Sequence, residues 1–157
     1  EVQDHAALRF LEEVTKEMGL DLDIKAKAGK ETLYIDIQGK DSGTIIGKRG
    51  QTLDAIQYLT SLVVNKGNGP YVRVKVDTED YRRRRKETLE NLARNIASKV
   101  RRTRKPVFLE PMNPYERRII HSALQNNPYV ATHSEGEEPY RKVVVTLKNN
   151  NSSNRER

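Results

Sequence analysis

Apolar positions in the first 76 residues follow two spacings, one typical of helices and one typical of strands. The earliest repeat every three or four residues and stop before Gly19, which predicts an amphipathic helix with a glycine C-cap. Alternation over 20–28, 33–37 and 72–76 predicts three strands, the first two forming a hairpin. The apolar positions of the helix are Ala6, Ala7, Phe10, Leu11, Val14 and Met18.

A glycine-containing loop lies between the second and third predicted strands. A short helical turn leads into Ile45 and Ile46, and a longer helix follows the loop and continues to Lys66. The predicted order is therefore helix, strand, strand, short helix, glycine loop, helix, strand. The apolar positions of the longer helix are Thr52, Ala55, Ile56, Leu59, Leu62 and Val63.

Helical spacing returns over residues 78–105 and predicts one long helix with a narrow apolar stripe. Four consecutive arginines occupy more than one turn near its start, so at least two of them must face solvent. Pro106 ends the helix, and residues 107–109 form a short strand. The four arginines are Arg82, Arg83, Arg84 and Arg85.

A second helix begins at an unusually complete start signal. Asn113 is a good N-cap, Pro114 a good first helical residue, and Glu116 completes a capping box. On a helical wheel Arg117, Arg118 and His121 share the outer face, and two strands follow over 129–134 and 140–147. Because Arg117 and His121 are one turn apart, both can reach one phosphate or base.

Charge is concentrated in the second half of the chain. The 157 residues carry a net charge of +7, and residues 1–76 hold 11 basic against 11 acidic side chains. Residues 81–105 alone hold 11 basic against 2 acidic, which indicates a polyanionic partner, either nucleic acid or an anionic membrane surface. The absence of cysteine excludes disulfides and thiol catalysis, and no apolar run is long enough to cross a bilayer, so a cytoplasmic protein is expected.

The glycine loop has the chemistry of an anion cradle. Gly47 and Gly50 allow positive φ and carry no Cβ that would keep a ligand away, while Lys48 and Arg49 supply charge between them. A helix begins directly after the loop, so its free amide groups point outward. A turn with two exposed cations is the alternative. A nucleotide-binding P-loop is excluded, since Arg49 stands where Ser or Thr must bind magnesium.

The element order and the string IIGKRGQTL resemble a type II KH domain, in which the loop grips a sugar-phosphate backbone beside an apolar groove. Ile45, Ile46 and Leu53 would line that groove or pack in the core. The segment after the basic helix resembles the R-x-x-x-H single-strand nucleic-acid-binding domain, which implies contacts from Arg117, Arg118 and His121 with Arg141 or Lys142. The acidic residues Glu135, Glu137 and Glu138 depart from a basic surface and would repel backbone or pair with arginines.

Together, PMNPYERRIIH and SEGEEPYRKVVV make the chain resemble the bacterial Jag/KhpB family over residues 1–147. The predicted fold is α+β, with a type II KH domain over 1–77, an R-x-x-x-H domain with a three-stranded sheet over 78–148, and a disordered tail over 149–157. The residues assigned to RNA binding are Ile45, Ile46, Gly47, Lys48, Arg49, Gly50, Arg82, Arg83, Arg84, Arg85, Arg117, Arg118, His121 and Arg141.

The resemblance implies a non-catalytic protein that binds single-stranded RNA or DNA, acts as an RNA chaperone, and contributes to envelope homeostasis, cell length and sporulation. Self-association, partnership with the small KH protein KhpA and a link to the membrane protein insertase are also implied. A protein or membrane-surface adaptor is the alternative. An enzyme has little support, because the three histidines lie in unrelated contexts and no metal-ligand spacing appears. No cofactor or small-molecule substrate is expected.

Overall fold

The computed structural model describes residues 1–149 and has the predicted α+β composition. The chain divides into two compact units, one covering Glu1–Arg83 and a second beginning at Arg84. None of the helices in the described part of the chain is both long and apolar enough to span a bilayer. The tail predicted from residue 149 onward falls, except for its first residue, outside the described residues.

The first unit has the predicted element order. A three-stranded sheet pairs β1 with β2 antiparallel and β2 with β3 parallel. Its elements are α1 (Ala6–Glu17), β1 (Asp23–Ala28), β2 (Thr32–Gln38), α2 (Ser42–Ile46), a 3-10 turn (Lys48–Gly50), α3 (Gln51–Val64) and β3 (Arg73–Thr78).

One face of this sheet packs against α1 and α3 to form the core of the first unit. Alternate residues of β2 and β3 point into that core, as the period of two requires. Central buried members are Leu11 from α1, Ile35 and Ile37 from β2, Val76 from β3 and Leu53 from α3. The opposite face of the sheet carries charged residues and one tyrosine.

The second unit packs helices against one face of another three-stranded sheet. Its strand order is β4-β6-β5, with both pairs antiparallel. Asn113 accepts a hydrogen bond from the Glu116 amide at 2.8 Å, which confirms the predicted N-cap of α5. The remaining elements are α4 (Tyr81–Thr103), β4 (Val107–Phe108), α5 (Pro114–Leu124), β5 (Val130–Glu135) and β6 (Lys142–Leu147).

The long basic helix is shorter than the predicted 78–105 span. Thr78 still belongs to β3, and Glu79 and Asp80 adopt positive φ, so the chain turns before the helix can begin. At the other end Arg104 has φ 61°, and its amide donates to the Val100 carbonyl, which closes the last turn.

Only some of the positions predicted for the apolar stripe of α3 are buried in the structure. The residues of α3 that are buried are Leu53, Ile56 and Thr60, whereas Leu59 and Leu62 face outward. The prediction that Leu59 and Leu62 belong to the inward stripe is therefore wrong. Thr60 occupies an inward position because its hydroxyl donates to the Ile56 carbonyl at 2.7 Å, which satisfies its polar atom.

Truncating Leu53 should destabilise the protein far more than truncating Leu59 on the same helix. Leu53 has no exposed surface, so Leu53→Ala leaves a cavity and is expected to cost about 2–5 kcal/mol of unfolding free energy. Leu59 is 47% exposed, so Leu59→Ala should change stability by about 0.5 kcal/mol or less. Urea titration followed by circular dichroism compares the two, and equal losses would contradict the packing described for α3.

Candidate nucleic-acid interface

The glycine loop between α2 and α3 has positive φ angles at positions where its sequence has glycine. Gly47 has φ 70° and ψ −163°, a region open almost only to glycine, and Gly50 has φ 78°. Arg49 is also left-handed at φ 53°. Three residues with positive φ within four positions therefore carry the chain from the end of α2 into the first turn of α3.

Neighbouring side chains occupy the space beside both glycines. A Cβ on Gly47 would overlap Thr52 Oγ1, and a Cβ on Gly50 would lie 2.6 Å from Cε1 of Tyr81. Any larger residue would therefore have to push one of these groups aside. The loop is held in shape from within the first unit, and its free side is the one where Lys48 is exposed.

The loop ends at the N-terminus of a 14-residue helix. Gly50 is the N-cap of α3 and has no side chain that could accept from the first amides of that helix. The Gln51 amide already donates to the Lys48 carbonyl, so the amides that follow it and the positive end of the helix dipole are what favour an anion. The exposed Lys48 lies beside them in the chain.

The two isoleucines before the loop have different surroundings. Ile45 is fully buried in the core of the first unit, so packing is its structural role. Ile46 is half-buried and keeps an apolar surface next to Gly47. Of the two, Ile46 is the residue that can contact a ligand.

The four arginines at the start of α4 have separate environments. Arg82 donates to the Asp54 carboxylate at 2.7 Å and to the Val76 carbonyl at 2.9 Å, which ties it to the first unit. Arg83 pairs with Asp80, and it and Arg84 are exposed. The expectation that at least two of the four face solvent is confirmed.

Arg85 is an internal contact of the second unit. Its guanidinium pairs with the Glu116 carboxylate at 3.1 Å, and only 19% of the Arg85 side chain is exposed. Glu116 lies in the first turn of α5, where a carboxylate is also favourable to the helix dipole. Arg85 therefore holds α4 and α5 together.

The predicted exposure of Arg117 is wrong. Its side chain is only 9% exposed, donates to the Met112 carbonyl at 2.6 Å, and pairs with Glu138. The guanidinium can be buried because the carbonyl and the carboxylate replace its lost water. Arg118, the next residue, is exposed and has the outward position. The pairing of Glu138 with an arginine confirms one of the two roles expected for the acidic turn.

His121 lies against the sheet rather than projecting freely into solvent. Its Nδ1 is 2.7 Å from the Thr132 hydroxyl and its Nε2 is 3.0 Å from the Ser134 hydroxyl. Burial lowers the pKa of His121 below 6.5, and the charges of Arg117 and His133 lower it further. The neutral imidazole is thus held in a fixed orientation by two hydroxyls.

Sequence reasoning missed these two hydroxyl partners. Thr132 and Ser134 are two residues apart on β5, so both point to the face that α5 covers. Because side chains alternate between the two faces of a strand, the spacing of Thr132 and Ser134 could have placed both hydroxyls beneath α5. Arg141, another predicted contact, is half-buried, and its guanidinium donates to the Gly136 carbonyl at 2.7 Å within the same turn.

Adding a methyl group at Gly47 should destabilise the protein, whereas the same change at Gly43 should not. Gly47→Ala places a Cβ against Thr52 in a backbone region that alanine avoids, so a loss of about 1–3 kcal/mol is expected. Gly43 lies in α2 with open space around it, and Gly43→Ala should gain about 0.4–1 kcal/mol. Urea unfolding checks both signs, and a neutral Gly47→Ala would contradict the loop geometry.

The stability of the protein should fall on mild acidification partly because of His121. Since the folded state lowers the pKa of His121, the unfolded chain binds its proton first as the pH drops below 6.5. Stability from this group is complete above pH 6.5 and is lost as the pH falls through its folded pKa. Unfolding free energies measured between pH 7.5 and 5 should decrease less for His121→Gln than for the wild type. Identical pH dependence in the two proteins would refute this role.

Comparison with known proteins gives two domain matches. A model described as the KH domain of KhpA/KhpB matches residues 7–76, and a model of the R-x-x-x-H domain matches residues 87–147. The first range contains the glycine loop, and the second contains Arg117 and His121.

Full-length relatives match across both domains. The chain is 57% identical over 147 residues to the RNA-binding protein KhpB of Clostridium symbiosum, covering 92% of this chain and 66% of that protein. It is 40% identical to the proteins of the same name from Bacillus subtilis and Lactiplantibacillus plantarum, covering 88% of this chain in each case. The chain spans 68% and 43% of those two relatives, respectively. These matches establish that the chain belongs to the KhpB family of proteins, which combine a KH domain with an R-x-x-x-H domain.

Proposed function

We propose that the chain is a non-catalytic protein that binds single-stranded RNA through the loop Gly47–Gly50. The observation that carries this proposal is the geometry of that loop, in which two glycines at positive φ bring an exposed lysine to the start of α3, where no side chain caps the first amides. The first amides of α3 and the positive end of its helix dipole favour a phosphate at this position. Lys48 then adds a full positive charge.

The surroundings of the loop favour an RNA strand over an isolated phosphate. The half-buried Ile46 offers apolar surface beside the loop, where the base attached to a bound phosphate can rest. Single strands expose such bases, whereas a double helix buries them in its stack. The relatives that match the chain are named RNA-binding proteins, which supports the same choice of ligand.

Helices α4 and α5 contribute further contacts in this proposal. Arg118 is exposed on α5, and Arg83 and Arg84 are exposed at the start of α4, so these side chains can reach phosphates. Both ring nitrogens of His121 lie within hydrogen-bonding distance of hydroxyls on β5, so we assign His121 the role of fixing α5 against the sheet. Because Arg82, Arg85 and Arg117 are engaged in internal contacts, we assign them a supporting role.

Two contact regions on one chain would strengthen binding through effective concentration. RNA-chaperone activity, roles in envelope homeostasis, cell length and sporulation, partnership with KhpA, self-association and a link to the membrane insertase stay predictions from the family resemblance. The geometry of the loop supports only the proposed contact with RNA and none of these cellular roles. The expected adaptor function at a membrane surface is an alternative that the following experiment can distinguish.

Reversing the charge of the loop should weaken RNA binding strongly. In the variant Lys48→Asp with Arg49→Asp, two cations at the proposed phosphate site become anions, and affinity for a labelled single-stranded RNA should fall about 10–100-fold. The slope of log affinity against log salt should also become shallower by about 1.4, since roughly 0.7 counterions are released per phosphate contact. Fluorescence anisotropy over a range of salt concentrations measures both quantities.

A charge-matched variant separates a local effect from a general one. Lys16→Glu with Lys66→Glu changes the net charge equally, and both lysines are exposed, with Lys66 lying beyond the end of α3 that is opposite the loop. This control should retain most of its affinity. Equal losses in both variants would overturn the assignment to the loop. Binding to anionic vesicles that persists without any RNA binding would favour the adaptor.

A further inference from the structure

The first sheet has a face that the proposed loop site does not use. Its inner face packs against α1 and α3, and the loop precedes α3, so the outer face lies on the other side of the sheet. No element of the first unit packs on the residues of this outer face, which alternate along the strands with the buried ones. The residues that define the outer face are Lys25, Lys27, Tyr34, Asp36, Arg73 and Lys75.

The register of the strands places a tyrosine between two lysines. Lys27 on β1 pairs with Tyr34 on β2, and Tyr34 pairs with Lys75 on β3, which makes one row across all three strands. Neighbouring strands are about 4.8 Å apart, so the two lysine Cα atoms are about 10 Å apart with the ring between them. Arg73 lies one row away on the same face, opposite Thr32.

The charges on this face are separated along the strands. Cations flank Tyr34, whereas Asp36 and Asp77 share the next row with Lys25. Within residues 1–149, Lys27, Arg73 and Lys75 form no ion pair with a carboxylate. Three exposed cations around one ring therefore keep their charge available for an external anion.

The ring of Tyr34 is exposed but held in place. It is 48% exposed, and Lys75 Nζ lies 5.8 Å from its centroid. Its edge leans toward Gly29, since a Cβ on Gly29 would come within 3.2 Å of Cε2 of the ring. An aromatic ring fixed by its neighbours loses little freedom on binding. The contact with Lys75 is weak at an exposed site, so the lysine can move aside toward a phosphate.

We propose that the outer face is a second binding site for single-stranded RNA, with a base stacked on Tyr34 and phosphates contacted by Lys27, Arg73 and Lys75. This inference rests on the proposed function for its choice of RNA. An aromatic ring on the central strand of an open sheet, with cations on the flanking strands, suits an unpaired base and its backbone. An acidic peptide would pair with the cations but would leave the ring of Tyr34 without a partner. An anionic membrane would meet Asp36 and Asp77 beside them and only one apolar group.

The experiment measures RNA binding with substitutions that separate the ring from the hydroxyl. Tyr34→Leu removes the stacking surface and should weaken binding of a labelled single-stranded oligonucleotide at least about fivefold, the lower limit for loss of one stacked base. Tyr34→Phe keeps the ring and should bind like the wild type. Tyr58→Leu is the matched control, because Tyr58 is also exposed but lies on α3. Thermal unfolding of each variant checks that it is folded.

A second measurement locates the contact directly. RNA containing photoreactive 5-iodouridine is crosslinked to the full chain, and the modified peptide is identified by mass spectrometry. We expect a crosslink to Tyr34 that persists in Lys48→Asp with Arg49→Asp, because the outer face is separate from the loop. The charge variant Lys27→Glu with Lys75→Glu should remove this crosslink, whereas Lys16→Glu with Lys66→Glu should retain it.

The possible outcomes separate this inference from the proposed function. If Tyr34→Leu binds like the wild type while the loop variant is impaired, the outer-face site is refuted and the loop site stands. If Tyr34→Leu is impaired and the loop variant is not, the loop site is refuted and the outer-face site stands. Equal impairment of Tyr34→Phe and Tyr34→Leu would refute stacking. Absence of RNA binding by the wild type, or charge-dependent binding to phosphatidylglycerol vesicles alone, would overturn the assignment of RNA to both sites.

Discussion

The contacts beneath the two loop glycines are the constraint on which the proposed binding site depends. Thr52 lies where a Cβ of Gly47 would be, and Tyr81 lies where a Cβ of Gly50 would be. The positive φ angles of both glycines are thereby fixed from the protein side, while Lys48 between them is exposed. Because Tyr81 is the first residue of α4, the start of the basic helix also supports the loop. The conformation of this loop is therefore set by tertiary packing as well as by backbone freedom.

The arginines of this chain divide into those that organise the fold and those that face outward. Arg82, Arg85 and Arg117 each donate to a carboxylate, and two of them also donate to a backbone carbonyl. Partners of this kind are required when a guanidinium leaves water. The basic composition thus overstates the charge available to a ligand. Arg84 and Arg118, by contrast, are exposed, and the proposed function assigns the attraction of a polyanion to residues of this kind.

Both units pack one face of a three-stranded sheet against helices, and the first unit leaves the opposite face of its sheet exposed around Tyr34. Open faces of antiparallel and mixed sheets expose every second side chain, so a short sequence can build both a core and a surface. In the first unit this alternation places Tyr34 outward while Leu33 and Ile35 complete the core. A strand that stabilises the fold can therefore also present a ligand-binding surface.

Local signals in the sequence determined the element order, the glycine loop and the start of α5, because turn residues, capping residues and apolar periodicity act over a few positions. The division into two domains and the family also followed from motifs. Tertiary structure decided which charged side chains are accessible, as the burial of Arg117 and the hydroxyl partners of His121 illustrate. Helical spacing alone cannot reveal this, because a polar residue is buried when a partner from a distant part of the chain satisfies it.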